Sequence, residues 1–357
     1  MNLLSSTSIF SFFTLISRAL GYLRDILIAF FLGTTIFADA FFVAFRLPNT
    51  FRRLFAEGTF NAAFIPSYTS ARVENKQKGK RFADDILGSL LLIIILIVTV
   101  VEIFTPYIIY VIAPGFVENN VKFNLVVELT RITFPFLLFV SLSSFFSGIL
   151  NSNNKFAAAA AAPIILNIVL IFSLIISYKL NLNFAEQLSY GVTLSGILQL
   201  IFLFFVTLKF YKPTLSFKIK ANNKVKLFFK KLLPSIFSSG VTQINILIGT
   251  IIASFETGAV SYLYYADRIY QINLAIAGIA IGTVSLPVLS KAFKNKNLKK
   301  LSNIQSKSFE LSLLLSIPAS FGLILASEEI VNALFGYGSF SQEDVKLTAD
   351  ALKYFWY

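Results

Sequence analysis

The chain contains no cysteine and no histidine, and its 357 residues include one methionine and one tryptophan. Without these residues there is no disulfide framework, no thiol nucleophile, no imidazole base and no ordinary zinc site. Charged residues make up only 14% of the chain, hydrophobic residues make up 56%, and the mean hydropathy is +0.75. Too few polar side chains remain to cover a water-exposed surface. The composition therefore excludes most soluble-enzyme chemistry and predicts a protein whose natural solvent is lipid.

The formal net charge of +13 does not indicate a nucleic-acid partner. The lysines cluster in short segments between apolar runs and form no basic domain with interleaved aromatic residues. This pattern is typical of loops that face an anionic leaflet, so membrane lipids are the expected partners. The N-terminal stretch has no basic region and no small-residue cleavage site, and Arg18 interrupts its apolar part. We interpret it as a retained helix and not as a signal peptide.

Long apolar runs define an all-α, polytopic membrane protein. A bilayer core of roughly 30 Å requires about 20 apolar residues in a helix. Ten segments approach this length, at about 9–32, 37–66, 86–113, 125–150, 156–178, 187–210, 228–255, 260–290, 305–327 and 343 to the end. The chain stops at Tyr357 within the last of these, so we expect that its C-terminal helices are missing.

The distribution of Lys and Arg predicts the orientation. The loops after the second, fourth, sixth and eighth segments hold 19 basic residues, whereas the intervening loops hold only Lys122 and Lys179. Because cytoplasmic loops are enriched in Lys and Arg, this alternation supports ten helices and a cytoplasmic N-terminus. We further predict an N-lobe at 1–211, a basic cytoplasmic linker at 212–227 and an incomplete C-lobe at 228–357.

Polar residues in the second segment form one stripe. On a helix that turns by about 100° per residue, the six members fall within a narrow sector over about 33 Å, which crosses the hydrocarbon layer. A proline within the segment removes a backbone donor and can bend this helix. The members are Asp39, Arg46, Thr50, Arg53, Glu57 and Asn61.

The first segment adds Arg18, Arg24 and Asp25, and the eighth adds Tyr264, Asp267, Arg268 and Gln271 near its start. A charge that faces lipid costs roughly 3 kcal/mol, so these side chains are expected to face water, one another or a polar ligand. One interpretation is structural pairing, such as Asp39 with Arg18 or Arg24. The first two segments nevertheless hold five arginines and three acids, an excess of two positive charges. Because Arg recognises phosphate bidentately, this excess favours an anionic, phosphate-bearing substrate.

Four stretches of the chain carry a recognisable pattern: SRALGYLRDILIAFFLG (17–33), ADAFFVAFRLPNTFRRLFAEGTFNAAFIPSY (38–68), FPFLLFVSLSSFFSGILNSNNKFAAAA (134–160) and YYADRIYQINLAIAGIAIGTVSLPVLS (264–290). They closely resemble the MurJ (MviN) family of lipid II flippases, and the resemblance extends over essentially the whole chain. The resemblance implies a two-lobed multidrug/oligosaccharidyl-lipid/polysaccharide (MOP) exporter fold in the bacterial inner membrane. It also implies transport of lipid II, the undecaprenyl-diphosphate-linked disaccharide peptide, from the cytoplasmic to the periplasmic leaflet for cell-wall biogenesis and cell shape. Our hypothesis for the mechanism of this transport is alternating access.

The resemblance also implies substrate-binding roles for residues that match the family's motifs. These are Arg18, Arg24, Asp39, Arg53, Glu57 and Arg268. Some relatives bind sodium, so a monovalent ion is a possible partner. We expect no enzymatic activity, no catalytic residue, no cofactor and no metal site within the chain.

Several alternatives remain open. Within transport they are a flippase for another polyprenyl-diphosphate-linked glycan and a drug exporter of the same superfamily, although cationic drugs favour an acidic cavity. A membrane glycosyltransferase or phosphatase requires a carboxylate cluster or a general base near the membrane face, which the sequence does not display. A scaffold of the cell-wall machinery that transports nothing is the third class, and it predicts that cavity mutations have no effect.

Overall fold

The computed structural model describes residues 3–55, 59–214, 223–275, 278 and 281–354. Every regular element within these ranges is helical, and a short 3₁₀ helix, Pro114–Glu118, joins α4 to α5. The α-helices are α1 Leu3–Leu32, α2 Ile36–Phe55, α3 Thr59–Glu74, α4 Lys76–Ile112, α5 Asn120–Thr133, α6 Phe136–Ser152, α7 Phe156–Leu180, α8 Phe184–Thr207, α9 Asn223–Ala253, α10 Ala259–Asn273, α11 Ile281–Lys294, α12 Leu298–Leu325, α13 Ser327–Phe335 and α14 Gln342–Tyr354. The all-α prediction is confirmed.

Within the described ranges, five stretches are by themselves long and apolar enough to cross a membrane. They are α4, the α5–α6 stretch Asn120–Ser152, α7, α8 and α12. The number of ten spans stays a prediction, because the other five predicted segments fall outside this criterion. These segments contain α1, α2 with α3, α9, α10 with α11, and α14. The division into two lobes also stays a prediction, and residues 215–222 of its linker lie outside the described ranges.

Local chemistry explains why several helices differ from the apolar runs. The fourth segment was expected to be one helix, but a turn at Phe134 and Pro135 divides α5 from α6. Proline has no backbone N–H to continue the hydrogen-bond ladder. Helix α4 begins ten residues before its apolar run because Asn75 caps it, accepting a bond from the backbone N–H of Gln77.

Two apolar clusters pack the helices, one towards each end. The first contains Phe41, Phe42, Tyr265 and Phe335 and joins α1, α2 and α5 to α10, α13 and α14. The second contains aromatic residues of α3, α4, α6 and α9, where the ring of Phe228 lies against those of its neighbours. These clusters place α9 and α10 against α2, and a polar cavity lies where the three helices meet.

Candidate functional site

A buried cluster of charged side chains joins α1, α7 and α10. Asp25 lies between two guanidinium groups, 2.6 Å from Nη2 of Arg24 and 3.0 Å from Nε of Arg268. The side chains of Arg24 and Asp25 are 7% and 3% exposed. Arg268 also donates to the hydroxyl of Tyr264 at 2.7 Å. One carboxylate thus neutralises only half of the positive charge that it contacts.

Asn167 of α7 fixes the orientation of Arg24. Its Oδ1 accepts from Nη1 of Arg24 at 2.9 Å, and its Nδ2 donates to the backbone carbonyl of Ser17 at 2.9 Å. A Cβ on Gly21 would lie 3.6 Å from this amide, so α1 approaches α7 closely at this point. The amide therefore holds the guanidinium and the helix that carries it at the same time.

The cavity between α2, α9 and α10 has a volume of about 320 Å³. Arg46, Arg53 and Arg268 contribute positive charge to its wall, and Asp267 contributes the negative charge. The rest of the lining includes apolar residues, such as Phe45 and Leu263, and polar, uncharged side chains that offer both donors and acceptors. The polar, uncharged residues are Asn49, Thr50, Gln243, Asn245, Tyr264 and Gln271.

Hydrogen bonds hold the cavity's polar groups in place. Arg46 donates to the hydroxyl of Thr250 on α9, and Gln271 donates to Asp267 one turn earlier on α10. The guanidinium of Arg268 lies 4.7 Å from the ring centroid of Tyr264, and the ring of Phe42 stacks on the same tyrosine with ring centroids 3.9 Å apart. Arg268 is therefore both a wall of the cavity and a member of the Asp25 cluster, and connects the two.

Asp39 does not lie with these arginines, so the alternative interpretation, in which it pairs with Arg18 or Arg24, is wrong. Its carboxylate is fully buried and accepts from Nζ of Lys122 at 2.8 Å. It also accepts from the backbone N–H of Gly258 at 2.8 Å and from both the N–H and the hydroxyl of Ser261, at 3.0 and 2.6 Å. A carboxylate at the first turn of a helix is favourable because the helix dipole is positive there.

Further bonds accompany Asp39 at this end of the molecule. The hydroxyl of Tyr265 donates to the carbonyl of Gly33 at 3.1 Å, and the backbone N–H of Gly115 donates to the hydroxyl of Ser254 at 3.0 Å. The N–H of Ser339 donates to the carbonyl of Phe30 at 2.7 Å. The first eight helices and the later ones are thus closed against each other by directional bonds at the Asp39 end.

The remaining predicted residues have different surroundings. Arg53 is half-buried in the wall of the cavity, and Arg18 is exposed on α1, six residues before Arg24. Glu57 lies outside the described residues. The oxygen of Asn61 faces Gly148 of α6 and not the cavity. The predicted stripe is therefore divided, and its middle portion faces the cavity.

Sequence reasoning missed Asn167 and Lys122. Asn167 is one amide in a long apolar helix, and Lys122 is one of two basic residues in the loops that otherwise lack them. Each was detectable only as an isolated polar residue within an apolar context. Their partners lie 143 and 83 residues away, which no local pattern encodes.

The helical arrangement is the fold of transporters of the MOP superfamily. The fold matches a multidrug resistance MATE family transporter of that superfamily in its inward-facing conformation with a TM-score of 0.63, over 93% of this chain and 79% of that one. The identity of 16% makes this a likeness of fold alone. The solved lipid II flippase MurJ in an inward closed conformation matches with a TM-score of 0.83 at 29% identity, over 97% of this chain and 71% of that one.

The chain belongs to the lipid II flippase MurJ family, whose sequence model matches residues 28–357. A probable lipid II flippase MurJ of Rickettsia prowazekii (strain Madrid E) is 41% identical over 99% of this chain and 70% of its own length. The chain spans 64% to 70% of the length of this protein and of the probable lipid II flippases MurJ of Rhizobium tropici and Rhizobium meliloti (strain 1021). The chain is thus a multi-pass protein of the bacterial inner membrane. The prediction that it is not an enzyme is confirmed, since a flippase is a transporter.

Proposed function

We propose that this chain moves lipid II from the cytoplasmic to the periplasmic leaflet by alternating access, in the service of peptidoglycan synthesis. The observation that carries the proposal is the cavity between α2, α9 and α10, where three arginines face one carboxylate. A diphosphate brings two or more negative charges and matches this excess. Guanidinium groups bind phosphate oxygens in parallel pairs, which gives geometric as well as electrostatic selectivity.

Arg46, Arg53 and Arg268 are proposed to contact the diphosphate directly. Arg24 and Asp25 are proposed to position these arginines without contacting the diphosphate. Asp25 holds the guanidinium of Arg268 at 3.0 Å, and Asn167 holds Arg24. Arg18, exposed on the same helix as Arg24, is proposed to meet the headgroup as it enters.

Asp39 is proposed to act without touching the substrate. It lies outside the cavity lining, and its bonds to Gly258 and Ser261 hold α2 against α10. Alternating access requires that one end of the cavity opens while the other is closed. Separation of α10 from Asp39 would open this end and release the headgroup.

The membrane potential is a sufficient energy source for this direction of transport. Moving two negative charges outward across 100 mV, inside negative, is favourable by about 4.6 kcal/mol, at about 2.3 kcal/mol per charge. A monovalent coupling ion stays a further prediction. Nothing in this route requires nucleotide hydrolysis.

The proposed orientation places the N-terminus in the cytoplasm. The turns after α3, α6 and α8 come together at the end of the molecule opposite Asp39 and carry basic residues such as Arg72 and Lys209. This agrees with the enrichment of cytoplasmic loops in Lys and Arg. The Asp39 end is then periplasmic, and the two-lobe division at 212–227 is proposed on the same basis.

The experiment that tests the function is rescue of bacteria depleted of their lipid II flippase, at matched membrane levels. Arg268→Ala and Arg46→Ala are expected to lose rescue, because each removes a cation from the cavity wall. Arg131→Ala is the matched control, since Arg131 is exposed on α5 and does not line the cavity. Rescue by both cavity variants at the level of the control would contradict the site.

Purified protein separates substrate recognition from rescue. Affinity for lipid II is compared, at one fixed salt concentration, with affinity for undecaprenyl diphosphate and for an unrelated glycan lipid. Tighter binding of lipid II that is lost in Arg268→Ala and retained in Arg131→Ala is the expected result. Equal binding of all three lipids would show that the protein does not select the headgroup of lipid II, and would refute the assignment to lipid II.

A further inference from the structure

A second polar cavity, of about 360 Å³, lies at the basic end of the molecule. The end of α3, the start of α4, the α6–α7 turn and the stretch that follows α8 surround it. It shares no lining residue with the cavity between α2, α9 and α10. Five of its lining residues are cations and none is a carboxylate: Arg72, Lys76, Lys80, Lys209 and Lys212.

Local structure holds these cations together. A Cβ on Gly79 would lie 2.8 Å from Cα of Arg72, so only a glycine allows α4 to turn back this closely onto α3. Across the cavity, the buried Tyr211 donates its hydroxyl to Oδ1 of Asp84 at 2.5 Å, and the N–H of Thr214 donates to the same oxygen at 3.0 Å. These bonds fix the segment that carries Lys209 and Lys212 onto α4. The backbone segments that carry these cations are therefore fixed relative to one another.

The positive charge of the cavity is not neutralised from within. Asp84 lies beside the cavity and accepts from the hydroxyl of Tyr211 and the N–H of Thr214, and its single negative charge offsets only one of the five cations. Burial and the bond to Asp84 raise the pKa of the Tyr211 phenol, so this phenol stays protonated and remains the donor. Arg72 donates to a neutral amide, Oδ1 of Asn153, at 2.5 Å. In the described part of the chain, the ion pairs include none of the four lysines. Like charges held together repel, and a polyvalent anion relieves this repulsion.

We propose that this basic cavity binds a phosphate group. The guanidinium of Arg72 can donate to two phosphate oxygens at once, and the lysines act as mobile point charges around the remaining phosphate oxygens. The phosphate has two possible sources, an anionic phospholipid headgroup and a soluble phosphate. Phe210 at the rim is 40% exposed and Phe205, five residues earlier on α8, is 64% exposed, so the exposed apolar surface of α8 leads towards the cavity. Basic pockets between helices on the cytoplasmic side of a membrane are suited to such headgroups.

The test is a binding measurement on the whole chain in neutral detergent, where no anionic surface attracts lipid nonspecifically. Native mass spectrometry follows titration with phosphatidylglycerol, with phosphatidylcholine, and with phosphatidylglycerol in the presence of inorganic pyrophosphate. The cavity variant carries Lys80→Gln, Lys209→Gln and Lys212→Gln. The control carries Lys291→Gln, Lys294→Gln and Lys299→Gln, the same change of charge in and around the α11–α12 turn, away from the cavity.

We expect the wild type to retain phosphatidylglycerol in preference to phosphatidylcholine. The cavity variant should bind phosphatidylglycerol roughly a hundredfold more weakly, since each basic residue near an anionic lipid contributes about fivefold. The control should match the wild type. Displacement by pyrophosphate would identify soluble phosphate as a ligand, whereas resistance to pyrophosphate would identify the lipid headgroup. Both outcomes support a phosphate site.

Two results would overturn the proposal. One is an equal loss of affinity in the cavity variant and the control, which would reveal general surface attraction. The other is a wild type that binds neither phosphatidylglycerol nor pyrophosphate. If the triple variant does not fold, Lys209→Gln alone carries the test with an expected loss of about fivefold. The readout does not depend on lipid II transport, so it is independent of the proposed function.

Discussion

Ser261 offers a selective way to weaken the closure at the Asp39 end. Its hydroxyl donates to Oδ1 of Asp39 at 2.6 Å, from the first turn of α10 to the first turn of α2. Ser261→Ala removes this bond and leaves the backbone bonds of Ser261 and Gly258 in place. Because this bond exists only while α10 lies against α2, its loss destabilises the closed state and not the open one.

The size of the effect follows from the type of bond. A hydrogen bond to a charged group contributes about 1.5–3 kcal/mol, and the carboxylate is fully buried. The ratio of open to closed molecules should therefore rise by a factor of about 10 to 150, since about 1.4 kcal/mol corresponds to a tenfold change.

A distance measurement between the two sides of this end reports the ratio. The chain has no cysteine, so spin labels can be attached to single cysteines introduced at Phe37 and Tyr337, which are 47% and 56% exposed. In lipid nanodiscs the wild type should give mainly the short distance of the closed state. Ser261→Ala should transfer a measurable fraction to a longer distance.

Ser189→Ala is the matched control. Ser189 is also fully buried, but its hydroxyl donates to the carbonyl of Ala185 within α8, so its loss weakens no bond between α2 and α10. The control should keep the wild-type distances. If Ser261→Ala also keeps them, the bonds of Asp39 do not govern closure and the proposed role is refuted.

Three further predictions concern packing and buried polarity, and unfolding in detergent checks each. Asn167→Leu leaves Nη1 of Arg24 without its acceptor and should lower stability by about 1.5–3 kcal/mol; an unchanged midpoint would contradict the proposed orienting role. Gly148→Ala places a Cβ 2.7 Å from Oδ1 of Asn61 and should lower the free energy of unfolding by about 1–3 kcal/mol. In Gly249→Ala the new Cβ meets no atom within 4 Å, and the free energy of unfolding should rise by up to about 1 kcal/mol. The reverse order of stability would be inconsistent with the packing. Lys122→Met leaves the buried carboxylate of Asp39 without its cation and should lower the free energy of unfolding by about 3–5 kcal/mol. Neutralising Asp39 as well should restore part of this stability, and independent effects of the two changes in a double-mutant cycle would refute the pairing.

The composition and the apolar runs were sufficient to predict an all-α membrane protein and most of its helices. Hydropathy is a local property, and a helix in lipid satisfies its backbone bonds within the segment, so each run could be interpreted alone. Where a prediction of one continuous helix was wrong, as at Phe134 and Pro135, the cause was again local. The positions of the arginines on α1, α2 and α10 likewise followed from the sequence.

The partners of the charged residues were decided by the tertiary structure. The sequence showed that Asp39 needs a polar partner but not which one, and its partners Lys122 and Ser261 lie 83 and 222 residues away. Arg18 and Arg24 looked equivalent, yet one is exposed and the other is buried against Asn167.

The sequence by itself determined that these charges could not face lipid, because the cost of a charge in hydrocarbon does not depend on the fold. It also determined the excess of positive charge and the family resemblance that identified the class of substrate. Only the tertiary structure decided which charges line the cavity and which close its end. That choice depends on how helices distant in the chain pack, and packing is set by the shapes of many side chains together.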